Sequence, residues 1–305
     1  MTGIPTKVGV PSVVGVPSVV GVLGGGRMGA GIAHAFALAG SRVAVVERDA
    51  ESVRMARGRV LSALMTSVER QSTHEELEDL TARVGFGTDI AAFSDAELVI
   101  EAVPESLELK VDALRRAEAA VTPSTWLASN TSSISITTLS QSLARPERFC
   151  GLHFFNPVPA SKLVEIVVGG QTASEFVAVA HGWISVLGKT PITVQDVPGF
   201  ASSRLGLALG LEAIRMLEDG VATAEDIDAA MSLGYGHPMG PLRLTDVIGL
   251  DVRLGIAEYL HGTLGERFAP PQLLRDKVER GELGRKSGRG FYEWPKAASS
   301  KEESS

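Results

Sequence analysis

Ser132, His153 and Glu165 fall within one stretch of the chain, from Asn130 to Ile166. The serine closes Asn130-Thr131-Ser132. The histidine opens His153-Phe154-Phe155-Asn156-Pro157, and the glutamate sits in Leu163-Val164-Glu165-Ile166. The runs around them are short and apolar, as strand ends are. A hydroxyl, an imidazole and a carboxylate together suit removal of a proton from an alcohol while hydride leaves the same carbon. Histidine titrates near neutrality and can take that proton, and a carboxylate partner raises its basicity. By residue type alone His153 would be a satisfied core histidine and Ser132 a plain strand-end serine. Glu165 changes that weighting, because a carboxylate on an apolar strand needs a partner.

A hydride needs an acceptor, and the chain offers a place for one. Gly24-Gly25-Gly26-Arg27-Met28-Gly29 fits GxGxxG, follows a Val-rich run and opens a helical pattern, which is the context that makes this fingerprint specific. Gly24 permits the tight turn, Gly26 lets the backbone approach a pyrophosphate, and Gly29 allows close helix–strand packing. The helix N-terminus supplies unpaired N–H groups and partial positive charge. Glu47 ends the next strand pattern, where an acid binds the ribose hydroxyls and repels the extra phosphate of NADP, so NAD is the expected cofactor. Arg48 beside it could bind that phosphate instead.

The elements that must carry these residues alternate. Strands are expected at Val19 to Leu23, Val43 to Glu47, Leu98 to Val103, Trp126 to Ser129, Arg148 to His153 and Leu163 to Val168. Helices are expected from Arg27 to Ala39, from near Ala50, from near Thr73 and from Ser106 to Ala120. This pattern predicts an α/β fold, a Rossmann-type doubly wound and mostly parallel sheet covered on both faces. After Pro191-Ile192-Thr193-Val194 the apolar spacing turns helical, with a start signal at Thr223-Ala224-Glu225-Asp226. A domain boundary is expected near Gln195–Asp196. Residues 19–195 would form the NAD-binding domain and 196–294 an all-helical substrate and dimerisation domain. Residues 1–18 contain a duplicated hexamer, Val8-Gly9-Val10-Pro11-Ser12-Val13 and its repeat from Val14. They are expected to be a loose tail, since two copies are too few for a repeat architecture. Residues 295–305, rich in Ser, Lys and Glu, are expected to be disordered.

Bulk properties exclude several classes. With 305 residues the chain can bury two cores, and 44% hydrophobic with 21% charged residues is ordinary for a globular protein. The 29 basic and 36 acidic residues give a net charge of −7, which argues against general nucleic-acid binding. The single cysteine, Cys150, rules out an internal disulfide. The six histidines lack zinc spacings, so no metal is expected. No apolar run long enough to span a membrane stands without Gly or Pro breaks. Asn130-Thr131-Ser132 matches a glycosylation acceptor, but no signal peptide is legible, and a cytoplasmic location is expected.

With these motifs in order, the chain resembles the 3-hydroxyacyl-CoA dehydrogenase family, including bacterial 3-hydroxybutyryl-CoA dehydrogenases, from Val19 to Trp294. Further markers are Val99-Ile100-Glu101-Ala102-Val103 with Glu105 and Lys110, Pro198-Gly199-Phe200, His237-Pro238-Met239-Gly240-Pro241 and Gly288-Arg289-Gly290-Phe291-Tyr292. The resemblance implies NAD-dependent, reversible oxidation of a short-chain (S)-3-hydroxyacyl-CoA. His153 would be the general base, Glu165 its orienting partner, and Ser132 a hydroxyl near both substrate and nicotinamide. It places Ala102, Val103, Glu105, Lys110, Asn130, Asn156 and Lys286 on NAD-contacting positions, beside Arg27 and Met28 of the glycine turn. Glu105 and Lys110 could instead be a solvated helix start, and Asn156 could simply shape its turn with Pro157.

Two departures bear on the substrate. Where the family usually has an Asn just before Arg, contacting the substrate carbonyl region, this chain has Ser203. A hydroxyl offers fewer hydrogen bonds than an amide. Where the family grips CoA phosphates with a Ser and a Lys, the matching positions are Ala63 and Arg70. Arg70 keeps the charge, or is a solvated helix arginine. These leave open an acyl-carrier-protein or hydroxydicarboxylyl thioester as substrate. A non-catalytic dinucleotide-binding protein on the same fold is the alternative of another class. By resemblance, the helical domain implies a homodimer.

Overall fold

The computed structural model describes residues 15–295. The first hexamer copy and the Ser/Lys/Glu-rich tail lie outside the described residues. The chain divides into two compact units, the first ending at Val197 and the second beginning at Pro198.

The first unit is an eight-stranded sheet. Its strands are β1 (Val19–Leu23), β2 (Arg42–Val46), β3 (Val84–Gly87), β4 (Leu98–Glu101), β5 (Trp126–Ser129), β6 (Phe149–Phe154), β7 (Leu163–Val168) and β8 (Thr190–Gln195). Their order is β3-β2-β1-β4-β5-β6-β7-β8. Every neighbouring pair is parallel except β6 and β7. Strand β1 is buried along its whole length, as a Val-rich run between two parallel neighbours must be. Helices α1 (Arg27–Leu38), α2 (Ala50–Glu69), α3 (Leu77–Ala82), α4 (Leu107–Ala120), α5 (Ile136–Ser140) and α6 (Ser174–Val186) complete the unit. Asp49 caps α2 by accepting from Ser52 N at 2.7 Å, and Ser106 caps α4. The core joins Val20 and Val22 of β1, Phe36 of α1, Leu64 of α2, and Phe176 of α6. Trp126 stacks on Phe176 at 4.5 Å between ring centres.

Strand β3 was not legible, because Val84-Gly85-Phe86-Gly87 carries two glycines and little alternation. Helix α3 begins at Leu77, later than the stretch expected from Thr73.

The second unit is helical: α7 (Ser202–Glu218), α8 (Ala224–Gly234), α9 (Pro241–Ile248), α10 (Leu250–Leu264) and α11 (Gln272–Glu279). Thr223 caps α8 by accepting from Asp226 N, as Thr223-Ala224-Glu225-Asp226 predicts. Leu207, Leu211, Ile214, Leu242, Leu260, Phe268 and Leu274 form its core. Among the described residues, no helix is long and apolar enough to cross a membrane.

Candidate active site

The parallel strands bring their C-terminal ends to one edge of the sheet, where ligands of such sheets bind. Leu23 ends β1, and Gly24 turns there with φ +97°, a conformation that glycine adopts without strain. A Cβ on Gly29 would lie 1.8 Å from Gly24 O, so glycine lets α1 pack against the turn. A Cβ on Gly26 would meet nothing within 4 Å, so backbone there is open to a ligand. No side chain caps α1, and its first N–H groups are aimed at that opening. Glu47, just past β2, accepts from Gly25 N at 2.7 Å and from Arg48 N at 3.2 Å. The Arg48 guanidinium turns to Asp49 at 3.0 Å, on the surface. Gly24, Gly26, Arg27, Met28, Glu47, Ala102 and Val103 line a cavity of about 520 Å³. Open backbone, a helix N-terminus and an acid at the second strand are what a dinucleotide requires, so these residues fit NAD.

A buried charge cluster lies at the end of β4. Glu101 is fully buried, and Lys110 of α4 nearly so. Lys110 Nζ donates to Glu101 at 2.8 Å and to Val103 O at 3.1 Å, and lies 3.3 Å from Glu105. Glu101 also accepts from Ser129 Oγ at 2.5 Å and Val103 N at 2.7 Å. Glu105 accepts from Thr131 Oγ1 at 2.6 Å, Ser132 N at 3.0 Å, Ser133 N at 3.1 Å and Ser133 Oγ at 2.9 Å. Burial pushes the Glu105 carboxyl up. The charge of Lys110 and the donors on Thr131, Ser133 and Ser132 outweigh it and hold the pKa below the ordinary carboxylate value. Buried Lys110 and exposed Glu105 thus form a hydrogen-bonded framework that shapes the loop holding Ser132.

The imidazole and carboxylate meet because β7 runs against β6. That reversal puts Glu165, near the start of β7, directly opposite His153, near the end of β6. Cross-strand partners share a face of the sheet, and His153 Nδ1 lies 2.7 Å from Glu165 Oε2. Both residues are buried. Phe155 packs against the imidazole at 4.5 Å between ring centres. Asn130 Oδ1 accepts from Phe154 N at 2.9 Å, tying the tip of β5 to the tip of β6. A second cavity, of about 340 Å³, is lined by Met28, Ala102, Val103, Glu105, Lys110, Asn130, Ser132, His153 and Asn156. Met28, Ala102 and Val103 line both cavities.

Most of the residues singled out in the sequence therefore converge on two adjoining cavities. Six do not line them: Gly29 packs against the turn at Gly24, Glu165 lies against His153, and four more lie elsewhere. Ala63 is half-buried on α2, and Arg70 is exposed at its end. Ser203, on the first turn of α7, and Lys286 belong to the helical unit. There Lys286 Nζ donates to Asp251 Oδ2 at 2.5 Å. Sequence reasoning named Glu101 only as part of a motif, and passed over Thr131 and Ser133. The signal for Glu101 was available: a carboxylate closing the apolar run from Leu98 needs a cation, and Lys110 follows within reach.

Known proteins resemble this chain over most of its length. The family model for the NAD-binding domain of 3-hydroxyacyl-CoA dehydrogenase matches residues 19–197, and that for its C-terminal domain matches residues 199–294. A probable 3-hydroxybutyryl-CoA dehydrogenase of Deinococcus radiodurans is 43% identical over 274 residues, covering 90% of this chain and 99% of that protein. A 3-hydroxyadipyl-CoA dehydrogenase of Escherichia coli is 41% identical over 276 residues, covering 90% of this chain and 58% of that protein. The crystal structure of (S)-3-hydroxybutyryl-CoA dehydrogenase from Ralstonia eutropha superposes with a TM-score of 0.88 at 40% identity. It covers 92% of this chain and all of that one. The chain belongs to the 3-hydroxyacyl-CoA dehydrogenase family and is an NAD-dependent dehydrogenase.

Proposed function

We propose that the enzyme oxidises short-chain (S)-3-hydroxyacyl-CoA to 3-oxoacyl-CoA, reversibly, with His153 and Glu165 as its proton-transfer pair. The observation that carries this reading is the 2.7 Å contact between His153 Nδ1 and buried Glu165, with His153 at the wall of a cavity that shares Met28, Ala102 and Val103 with the dinucleotide cradle. Bound NAD accepts the hydride; the chain handles the proton. With Nδ1–H donated to Glu165, Nε2 is the basic nitrogen and takes the proton from the 3-hydroxyl. The carboxylate then stabilises the imidazolium. Ser132 lines the same cavity, and its hydroxyl would hold the substrate oxygen together with His153. In reduction, the imidazolium returns the proton.

Glu47 would hold the ribose hydroxyls, and Gly24, Gly26, Arg27 and Gly29 the pyrophosphate turn. Ala102, Val103, Glu105, Lys110, Asn130 and Asn156 would frame the nicotinamide. We assign Lys286 to the cofactor, and Ser203, Ala63 and Arg70 to the substrate, on family resemblance. Leu205, Leu233 and Tyr235 of the helical unit are strongly exposed, which favours a homodimer through that unit. The relatives named for 3-hydroxybutyryl-CoA and 3-hydroxyadipyl-CoA are about equally similar to this chain, so acyl chemistry is the variable to measure.

The test is a panel of 3-hydroxybutyryl-CoA, 3-hydroxyadipyl-CoA and 3-hydroxyacyl-carrier-protein, run with NAD and NADP. Turnover of the CoA thioesters with NAD, and much weaker turnover with NADP, is expected. Failure on both CoA thioesters would overturn the assignment.

A further inference from the structure

Glu101 closes β4 and is fully buried. Its carboxylate meets donors on both oxygens: Lys110 Nζ at 2.8 Å and Val103 N at 2.7 Å on one, Ser129 Oγ at 2.5 Å on the other. Thr131 N donates to Ser129 Oγ at 3.2 Å, which leaves the serine proton for Glu101. A carboxyl group that only accepts is ionised. Glu105 is ionised as well. Burial pushes its pKa up, but Lys110 and the surrounding hydroxyl and N–H donors outweigh burial and lower it.

Among the described residues, Lys110 is the one cation paired with either carboxylate. Two carboxylates and one ammonium leave one negative charge in excess. Glu105 alone would neutralise Lys110, so Glu101 adds a second charge at the cost of burying it. The hydrogen bonds do not require that charge. A glutamine oxygen could accept from Lys110 and Val103 N while its amide donates to Ser129 Oγ.

The excess charge sits just behind a cavity wall. Lys110 and Glu105 line the second cavity, and Val103, whose N–H Glu101 holds, lines both. The other ionisable residue lining the second cavity is His153, itself partnered by Glu165. While that imidazole is neutral, it offsets nothing. Arg27, Arg48 and Arg116 line the dinucleotide cavity, but all three are exposed, where solvent and salt screen them.

The nicotinamide ring carries a positive charge when oxidised and none when reduced, and the rest of the dinucleotide is the same in both forms. A fixed negative charge near the ring therefore separates the two affinities. We propose that Glu101 sets the enzyme's preference between oxidation states of its cofactor, its buried charge favouring NAD⁺ over NADH. This rests on the placement of the nicotinamide beside Glu105 and Lys110 proposed above. Glu101 acts through the field from one layer behind the wall, with Lys110 and Val103 between it and the cavity. Tighter binding of the oxidised form makes the bound dinucleotide a poorer hydride acceptor and a better donor.

The experiment measures Kd for NAD⁺ and for NADH by calorimetry, without substrate, on the full-length enzyme, Glu101→Gln, Glu101→Asp and Glu105→Gln. In Glu101→Gln, NAD⁺ affinity should fall roughly three- to tenfold relative to NADH, the effect of one unit charge in a partly buried setting. Glu101→Asp keeps the charge and should keep the wild-type ratio. Glu105→Gln removes the same charge from the exposed partner, so it carries the test if Glu101→Gln does not fold. Contacts that it loses to both forms cancel in the ratio, which should shift in the same direction. An unchanged ratio in Glu101→Gln overturns the proposal, as does an unchanged ratio in Glu105→Gln. An equal shift in Glu101→Asp also overturns it, because geometry and not charge would then set the preference. A wild-type enzyme inactive on both CoA thioesters overturns the proposed activity and leaves this ratio to be read, so the two failures are distinguishable.

Discussion

Both units of the protein bury carboxylates, and they use them differently. In the sheet unit, Glu101 and Glu165 each face a group that can carry positive charge at a cavity wall: Lys110 at 2.8 Å and His153 at 2.7 Å. In the helical unit, Asp246 and Asp228 are almost as deeply buried, but they face backbone N–H groups and neutral aromatic side-chain donors. Asp246 accepts from Phe291 N at 2.8 Å, Tyr292 N at 2.9 Å and Trp294 Nε1 at 2.7 Å. Asp228 accepts from Leu242 N at 2.8 Å, Arg243 N at 2.9 Å and Tyr292 OH at 2.7 Å. The first arrangement holds side chains at the wall of a cavity. The second satisfies N–H groups at the first turn of α9 and in the irregular segment after α11. A carboxylate thus marks function or architecture according to what it faces, not how deeply it is buried.

The comparison can be broken by substitution. The largest effect should come from His153→Ala. Turnover should fall about 10²–10⁴-fold, the scale of a lost general base, with NADH affinity nearly unchanged; melting temperature should fall, because buried Glu165 loses its partner. Steady-state kinetics beside NADH fluorescence titration checks both parts. Lys110→Met should destabilise the protein by about 3–5 kcal/mol, because it strands a buried carboxylate. Denaturant unfolding measures this, and NADH affinity should drop with it. Asp246→Asn should cost about 2–3 kcal/mol by weakening buried acceptor bonds. Turnover per folded molecule should hold. If it falls as sharply as stability, the division between the two kinds of carboxylate fails.

The site was legible in the sequence to different depths. His153 and Glu165 stood out because a charged residue on an apolar strand demands a partner, and their spacing allowed two neighbouring strands. That β7 runs antiparallel to β6, which makes them direct cross-strand partners, is not written in either run, since both read as buried strands. The glycine turn was legible because each glycine has a separate steric task. Glu101 hid within an apolar run, with its partner on the following helix. Asp228 and Asp246 were illegible for another reason. On a helix, one polar residue among apolar ones is equally consistent with a solvated edge and a buried group, and only packing of the neighbouring helices decides.

The central claim is that His153 and Glu165 act as one unit. The direct test is a double-mutant cycle of His153→Ala, Glu165→Gln and the pair, read as kcat with NADH and acetoacetyl-CoA. Without its imidazole to orient, Glu165 has no remaining task in the chemistry. The double variant should then be no slower than His153→Ala alone, to within about twofold, the usual error of additivity. If the two losses multiply, the carboxylate acts on the reaction independently of the histidine, and the proton-transfer pair is wrong.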